Sequence, residues 1–97
     1  MLEFKIFTPS NIILERDNCN YISLSNEQGE FGIHPHHEKL ATFCSIGIIT
    51  LHRQKYTEKI YVSQGNVFID YFTVIIFCEY YFLKEDIKGI GELLLES

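Results

Sequence analysis

The sequence predicts an all-β protein of eight to ten short strands, an antiparallel sandwich or barrel. Three observations carry this. Apolar residues recur with a period of two, turn-forming residues break the pattern at short intervals, and helical periodicity is nearly absent in a chain with a single alanine among 97 residues.

Leu2, Phe4 and Ile6 alternate with Glu3 and Lys5, predicting a first strand with one buried face that stops at Thr8-Pro9-Ser10-Asn11. A second strand is expected from Ile12 to about Arg16. Ile22 and Leu24 alternate with Tyr21, Ser23 and Ser25 in a third, which runs into the turn-forming Asn26-Glu27-Gln28-Gly29. Ile49 and Leu51, then Ile60 and Val62 beyond the polar Arg53-Gln54-Lys55, read as a hairpin. Gly65 interrupts the next run and predicts a bulge before Val67 and Ile69. Near the C-terminus Ile87, Ile90 and Leu94 share a helical face, but Gly89 and Gly91 each disfavour helix by about 1 kcal/mol relative to alanine. The expected division is a sandwich over 1–86 and a short tail over 87–97.

One stretch breaks the one-sided pattern. From Phe72 to Phe82 both alternating sets are apolar, with Val74, Ile76 and Cys78 on one side and Ile75 and Phe77 on the other. An antiparallel strand that is apolar on both faces implies a covered outer face, either by the tail residues Ile90 and Leu93 to Leu95 or by a second protein.

Totals narrow the function. A length of 97 residues suits one domain, and an apolar fraction of 46% with eight Phe and six Tyr supplies its core. The three cysteines, Cys19, Cys44 and Cys78, are odd in number and sit in apolar runs, which favours core packing in a reducing compartment. A net charge of −5 with scattered basic residues offers no footprint for nucleic acid. The start Leu2-Glu3-Phe4-Lys5-Ile6 lacks the pattern of a signal peptide, and the apolar stretch Tyr71 to Leu83 is short of the roughly 20 residues that span a bilayer.

The most telling segment is Gly29-Glu30-Phe31-Gly32-Ile33-His34-Pro35-His36-His37. Two glycines flanking an aromatic predict a backbone that bends sharply twice, with Pro35 fixing the exit. In this order the residues resemble the signature of the epsilon chain of F-type ATP synthases, called delta in mitochondria. The resemblance extends from Leu2 to Ile87. Phe4-Lys5-Ile6-Phe7-Thr8-Pro9 is similar to the family's first strand and turn, and Ser45-Ile46-Gly47 to the turn before its central hairpin. Tyr61-Val62-Ser63-Gln64-Gly65 is similar to its aromatic-Val-Ser-Gly-Gly, and Thr73-Val74 with Glu85-Asp86-Ile87 to its last strand and the start of its helical arm. His34, His36, Lys39 and Gln64 depart from the pattern, as does the turn near Asp70-Tyr71.

The resemblance implies an antiparallel β-sandwich of about ten strands and a non-catalytic central-stalk subunit that joins gamma to the c-ring and transmits rotation to ATP synthesis, peripherally on the cytoplasmic face of a bacterial inner membrane. It needs no cofactor or metal of its own. Carried over by position, Glu30, Phe31 and His37 become candidate contacts with gamma or the c-ring, with Phe72, Ile75 and Phe77 added from the doubly apolar strand. Glu30 can accept hydrogen bonds and His37 can donate or accept at a rim, although both residues also fit a role in holding the loop. Gly29, Gly32, Pro35 and Gly65 are the candidate shape-setting residues. Thirteen residues from Glu85 to Ser97 cannot form the family's two-helix arm, so its inhibitory role and ATP site are not expected.

The rival reading is a small cupin-like metal-dependent enzyme. Alternate residues of a strand point one way, so His34 and His36 could share an ion with Glu38. The spacing argues against it, because Glu38 follows His36 by only two residues and Pro35 lies between the histidines. No second histidine motif accompanies them, and neither a nucleophilic triad nor a phosphate-cradling loop is present.

Overall fold

The computed structural model describes residues 1–83. Their strands, in order, are β1 (Leu2–Phe7), β2 (Ile13–Cys19), β3 (Tyr21–Asn26), β4 (Gly29–Ile33), β5 (Leu40–Cys44), β6 (Gly47–His52), β7 (Thr57–Val62), β8 (Gly65–Ile69), β9 (Thr73–Cys78) and β10 (Tyr81–Leu83). They form two five-stranded sheets, ordered β2-β1-β9-β8-β5 (sheet A) and β10-β7-β6-β3-β4 (sheet B). All pairings are antiparallel except β1 with β9, which run parallel. The helical face at Ile87 to Leu94, the proposed cover by Ile90 and Leu93 to Leu95, and the boundary at 86 lie outside the described residues.

The period-two pattern is what closes the sandwich. Leu2, Phe4, Ile6, Val74 and Ile76 from sheet A meet Ile22, Leu24, Ile49, Leu51 and Ile60 from sheet B, all essentially removed from water. Each contributes on the order of 1.5–3 kcal/mol of burial. Cys19, Cys44 and Cys78 are buried in this core, and desolvation raises all three thiol pKa values. Arg16 of β2 and Glu58 of β7 tie the sheets together at one edge (3.0 Å), a hydrogen bond that raises the arginine's pKa further.

Two local expectations change. The second strand is displaced to Ile13–Cys19, since Asn11 takes a left-handed φ of 62° and extends the turn after β1. Gly65 forms no bulge and pairs squarely with Cys44 on one side and Cys78 on the other. Its glycine answers to space, because an added Cβ would collide with the Phe77 carbonyl oxygen and stand 2.9 Å from the Cys78 Cβ.

Candidate functional site

The signature segment divides into a strand and a connection. Gly29 to Ile33 is β4, an edge strand of sheet B that among the described residues is hydrogen-bonded only to β3. The two bends expected from its glycines reduce to one. Gly29 adopts φ +113° after the Asn26 turn, where the Asn26 Oδ1 accepts from the Gln28 N–H at 2.9 Å. Gly32 has no such φ. It lies flat opposite Ser23, beside the Tyr21 ring, where an added Cβ would make ordinary contact with two ring carbons at 3.6 Å.

Phe31 points inward, half-buried against the core, and forms a wall of the sandwich edge rather than an exposed contact. Glu30 is exposed beside the hairpin, opposite Ser25. His37 lies past the other end of β4, in the connection that carries the chain from sheet B to sheet A, with Pro35 half-buried two residues before it. The structure therefore does not bring Glu30 and His37 together; β4 separates them. His37 is half-buried, and its Nδ1 lies 2.6 Å from the Glu38 carbonyl oxygen. A carbonyl only accepts, so Nδ1 carries the proton and Nε2 is left for another partner.

The histidines of the metal reading separate as well. β4 ends at Ile33, so His34 and His36 are not alternate residues of a strand. The His34 ring stacks on Tyr21 (5.0 Å between centroids), whereas His36, at φ +68°, turns its ring edge-on to Phe72 (4.8 Å). With Glu38 they form no common centre, and among the described residues no group of three or more His, Cys, Asp or Glu side chains is placed to hold a metal ion.

Phe72 belongs to this end of the molecule rather than to the strand face. It lies in the turn between β8 and β9, its carbonyl oxygen accepting from the Glu3 N–H at 2.8 Å. Ile75 and Phe77 do point outward from sheet A, level with Phe68 and Asn66 on β8 and with Lys5 and Phe7 on β1. Phe77 stacks on Phe7 (5.4 Å) and meets Phe68 edge to face (5.7 Å). Phe77, Phe68 and Phe43 are 46%, 47% and 46% exposed, a density of half-open aromatic rings beyond scattered surface apolar residues. A groove of about 570 Å³, lined by Leu40, Ala41, Phe68 and Ile75, continues this surface toward the β4–β5 connection.

Sequence reasoning named Ile75 and Phe77 but missed Phe7, Phe43 and Phe68. The signal existed, since Phe68 stands between the inward Val67 and Ile69. What was missing was the strand order that places β1, β9, β8 and β5 side by side. In the sequence Ser63 stands only as part of a motif. It is buried, and its Oγ accepts from the Glu79 and Tyr80 N–H groups at 3.0 and 3.2 Å, joining two sheet-crossing connections.

Comparison with known proteins follows the same lines. The profile of the ATP synthase delta/epsilon chain β-sandwich domain matches residues 1–83. The ATP synthase epsilon chain of Sulfurimonas denitrificans is 30% identical over 79 residues, covering 80% of this chain and 60% of that protein. The epsilon chain of Aliarcobacter butzleri is 29% identical over 69 residues, covering 71% and 54%. This chain thus spans little more than half the length of those relatives. Among solved structures, a chain of the Euglena gracilis mitochondrial ATP synthase, described as OSCP/F1/c-ring, superposes with a TM-score of 0.77 at 18% identity, covering 98% of this chain and 62% of its own. One from the central stalk and c-ring of the Tetrahymena thermophila mitochondrial enzyme gives 0.70 at 14%, covering 89% and 69%. At such identities these two show a shared fold. With its two five-stranded sheets and its signature segment on β4 and the connection after it, this chain belongs to the delta/epsilon β-sandwich family of ATP synthase.

Proposed function

We propose that the chain is a non-catalytic central-stalk subunit of a proton-translocating F-type ATP synthase, joining gamma to the c-ring so that rotation is transmitted to ATP synthesis. The observation that carries this reading is the family sandwich bearing the signature segment on β4, at one edge of sheet B among the described residues. The subunit then sits peripherally on the cytoplasmic face of a bacterial inner membrane, which the names of the bacterial relatives support.

Two surfaces serve the partners in this reading. The outer face of sheet A, centred on Ile75 and Phe77, suits a protein partner because burying half-exposed aromatic rings is the largest available source of association energy. The rim from Glu30 to His37 offers an acceptor at one end of β4 and an imidazole at the other. Phe72 contributes through its packing on His36.

The test is co-expression of the full chain with gamma from the same source. A one-to-one complex is expected, and Glu30→Ala with His37→Ala should weaken coupling while the domain stays folded. A chain that stays monomeric beside gamma and carries stoichiometric zinc or iron would overturn the assignment in favour of the metal-dependent reading.

A further inference from the structure

The connection between β4 and β5 is a passage from one sheet to the other, and its two histidines that depart from the family signature are each attached to a different sheet. His34 leans back onto Tyr21 of β3, which is itself stacked face to face on His52 of β6 (3.8 Å, 4° between planes). His36 reaches the other way. Its N–H donates to the Tyr71 carbonyl oxygen at 2.7 Å, and its ring meets Phe72 edge to face. It does so at φ +68°, a backbone conformation that glycine reaches freely and histidine does not. A position that tolerates this strain while placing an aromatic ring on another aromatic ring is one where the ring matters.

We propose that His34 and His36 are positioning residues, a clasp that pins the connection to sheet B through Tyr21 and to sheet A through Phe72. The neighbouring His37 is thereby presented with its Nε2 in one preset orientation. Phe72 is the seat of the clasp more than a direct contact for a partner. A rigid rim suits a subunit that must carry torque, since a loop that had to order itself on docking would lose affinity to that ordering. The inference rests on the docking role proposed above for His37, and the test separates the two.

Amide hydrogen exchange on the free, full-length chain reads the clasp without any partner. In the wild type the His36 amide is protected by its bond to Tyr71. Phe72→Ala and His36→Asn should each speed its exchange roughly three- to tenfold, the range set by the loss of one aromatic pair. Phe72→Tyr, which keeps the ring, should restore the wild-type rate. Amides of Ile49 and Val67 should not change in any variant, which reports an intact core. Unaltered exchange at His36 in Phe72→Ala would overturn the clasp. Capture of the same variants by gamma and by the c-ring from the same source is the second arm. Weakened capture for Phe72→Ala with recovery in Phe72→Tyr supports positioning. Exchange that responds while capture does not would overturn the docking role of His37 and leave the clasp standing.

Discussion

Substituting alanine at each of three glycines separates conformation from space. At Gly65 the backbone is ordinary but the room is gone: an added methyl collides with the Phe77 carbonyl oxygen and stands 2.9 Å from the Cys78 Cβ and 3.1 Å from the Phe77 carbonyl carbon. Two of those three atoms are backbone of β9, in the middle of sheet A, so relief requires moving a paired strand. Overpacking of this kind costs about 1–3 kcal/mol, and the backbone obstruction points to the upper end, about 3 kcal/mol. With an unfolding entropy near 0.2 kcal/mol/K for a chain of this size, Tm should fall by about 15 °C. At Gly29 the reverse holds. Nothing lies within 4 Å, yet φ is +113°, so alanine should cost roughly 1–2 kcal/mol through the backbone alone. At Gly32 neither obstacle exists, and contact with Tyr21 at 3.6 Å is ordinary, so stability should stay within about 0.5 kcal/mol. Urea and thermal unfolding followed by circular dichroism give the order. A Gly65→Ala loss below about 1 kcal/mol, or one smaller than that of Gly29→Ala, would refute the reasoning from space.

Other outcomes follow from the surface and the core. Phe68→Ser with Phe77→Ser should cost about 1–3 kcal/mol of stability through the lost Phe77 contacts with Phe7 and Phe68, with the domain still folded, and weaken capture by gamma at least about tenfold; unchanged capture in calorimetric titration would move the interface elsewhere. Removing Glu58 (Glu58→Gln) should lose about 1 kcal/mol through its partly exposed, two-oxygen contact with Arg16. A double-mutant cycle with Arg16→Met that shows no coupling would count against a bond between the sheets. The three buried thiols have folded-state pKa values raised by desolvation above their ordinary value near 9. The folded chain therefore holds those protons more tightly than the unfolded one. Their contribution is complete below the unfolded value and declines as pH rises through the folded values, by at most about 1.4 kcal/mol per pH unit for each thiol. Urea midpoints measured between neutral and strongly alkaline pH should show that decline, and replacing the three cysteines with alanine should remove the part they cause.

Much of the sandwich was legible because burial in a one-sided strand depends on nearest-but-one neighbours. Leu2, Phe4 and Ile6 are inward, and so are Ile22 with Leu24, Ile49 with Leu51 and Ile60 with Val62. The doubly apolar stretch from Phe72 to Phe82 divides into a turn at Phe72, β9 and β10, and on β9 it leaves Ile75 and Phe77 facing outward, while the cover expected from Ile90 and Leu93 to Leu95 lies outside the described residues. Glycine was harder, since one residue type answers different needs: a left-handed turn at Gly29 and clearance from β9 at Gly65, while at Gly32 neither applies. The clearance at Gly65 depends on Phe77 and Cys78, more than about ten positions away, and no local window contains them.

The signature from Gly29 to His37 identified the family on sequence alone, because order and residue type are properties of the chain. What the signature does spatially was decided by the tertiary structure. Pairing with β3 turned its first half into an edge strand, which set Glu30 and His37 apart. The crossing to sheet A then sent His34 and His36 to different sheets, where Tyr21 and Phe72 receive them. Side-chain partners across a sandwich come from strand order, and strand order is fixed by how the whole core packs rather than by any segment within it.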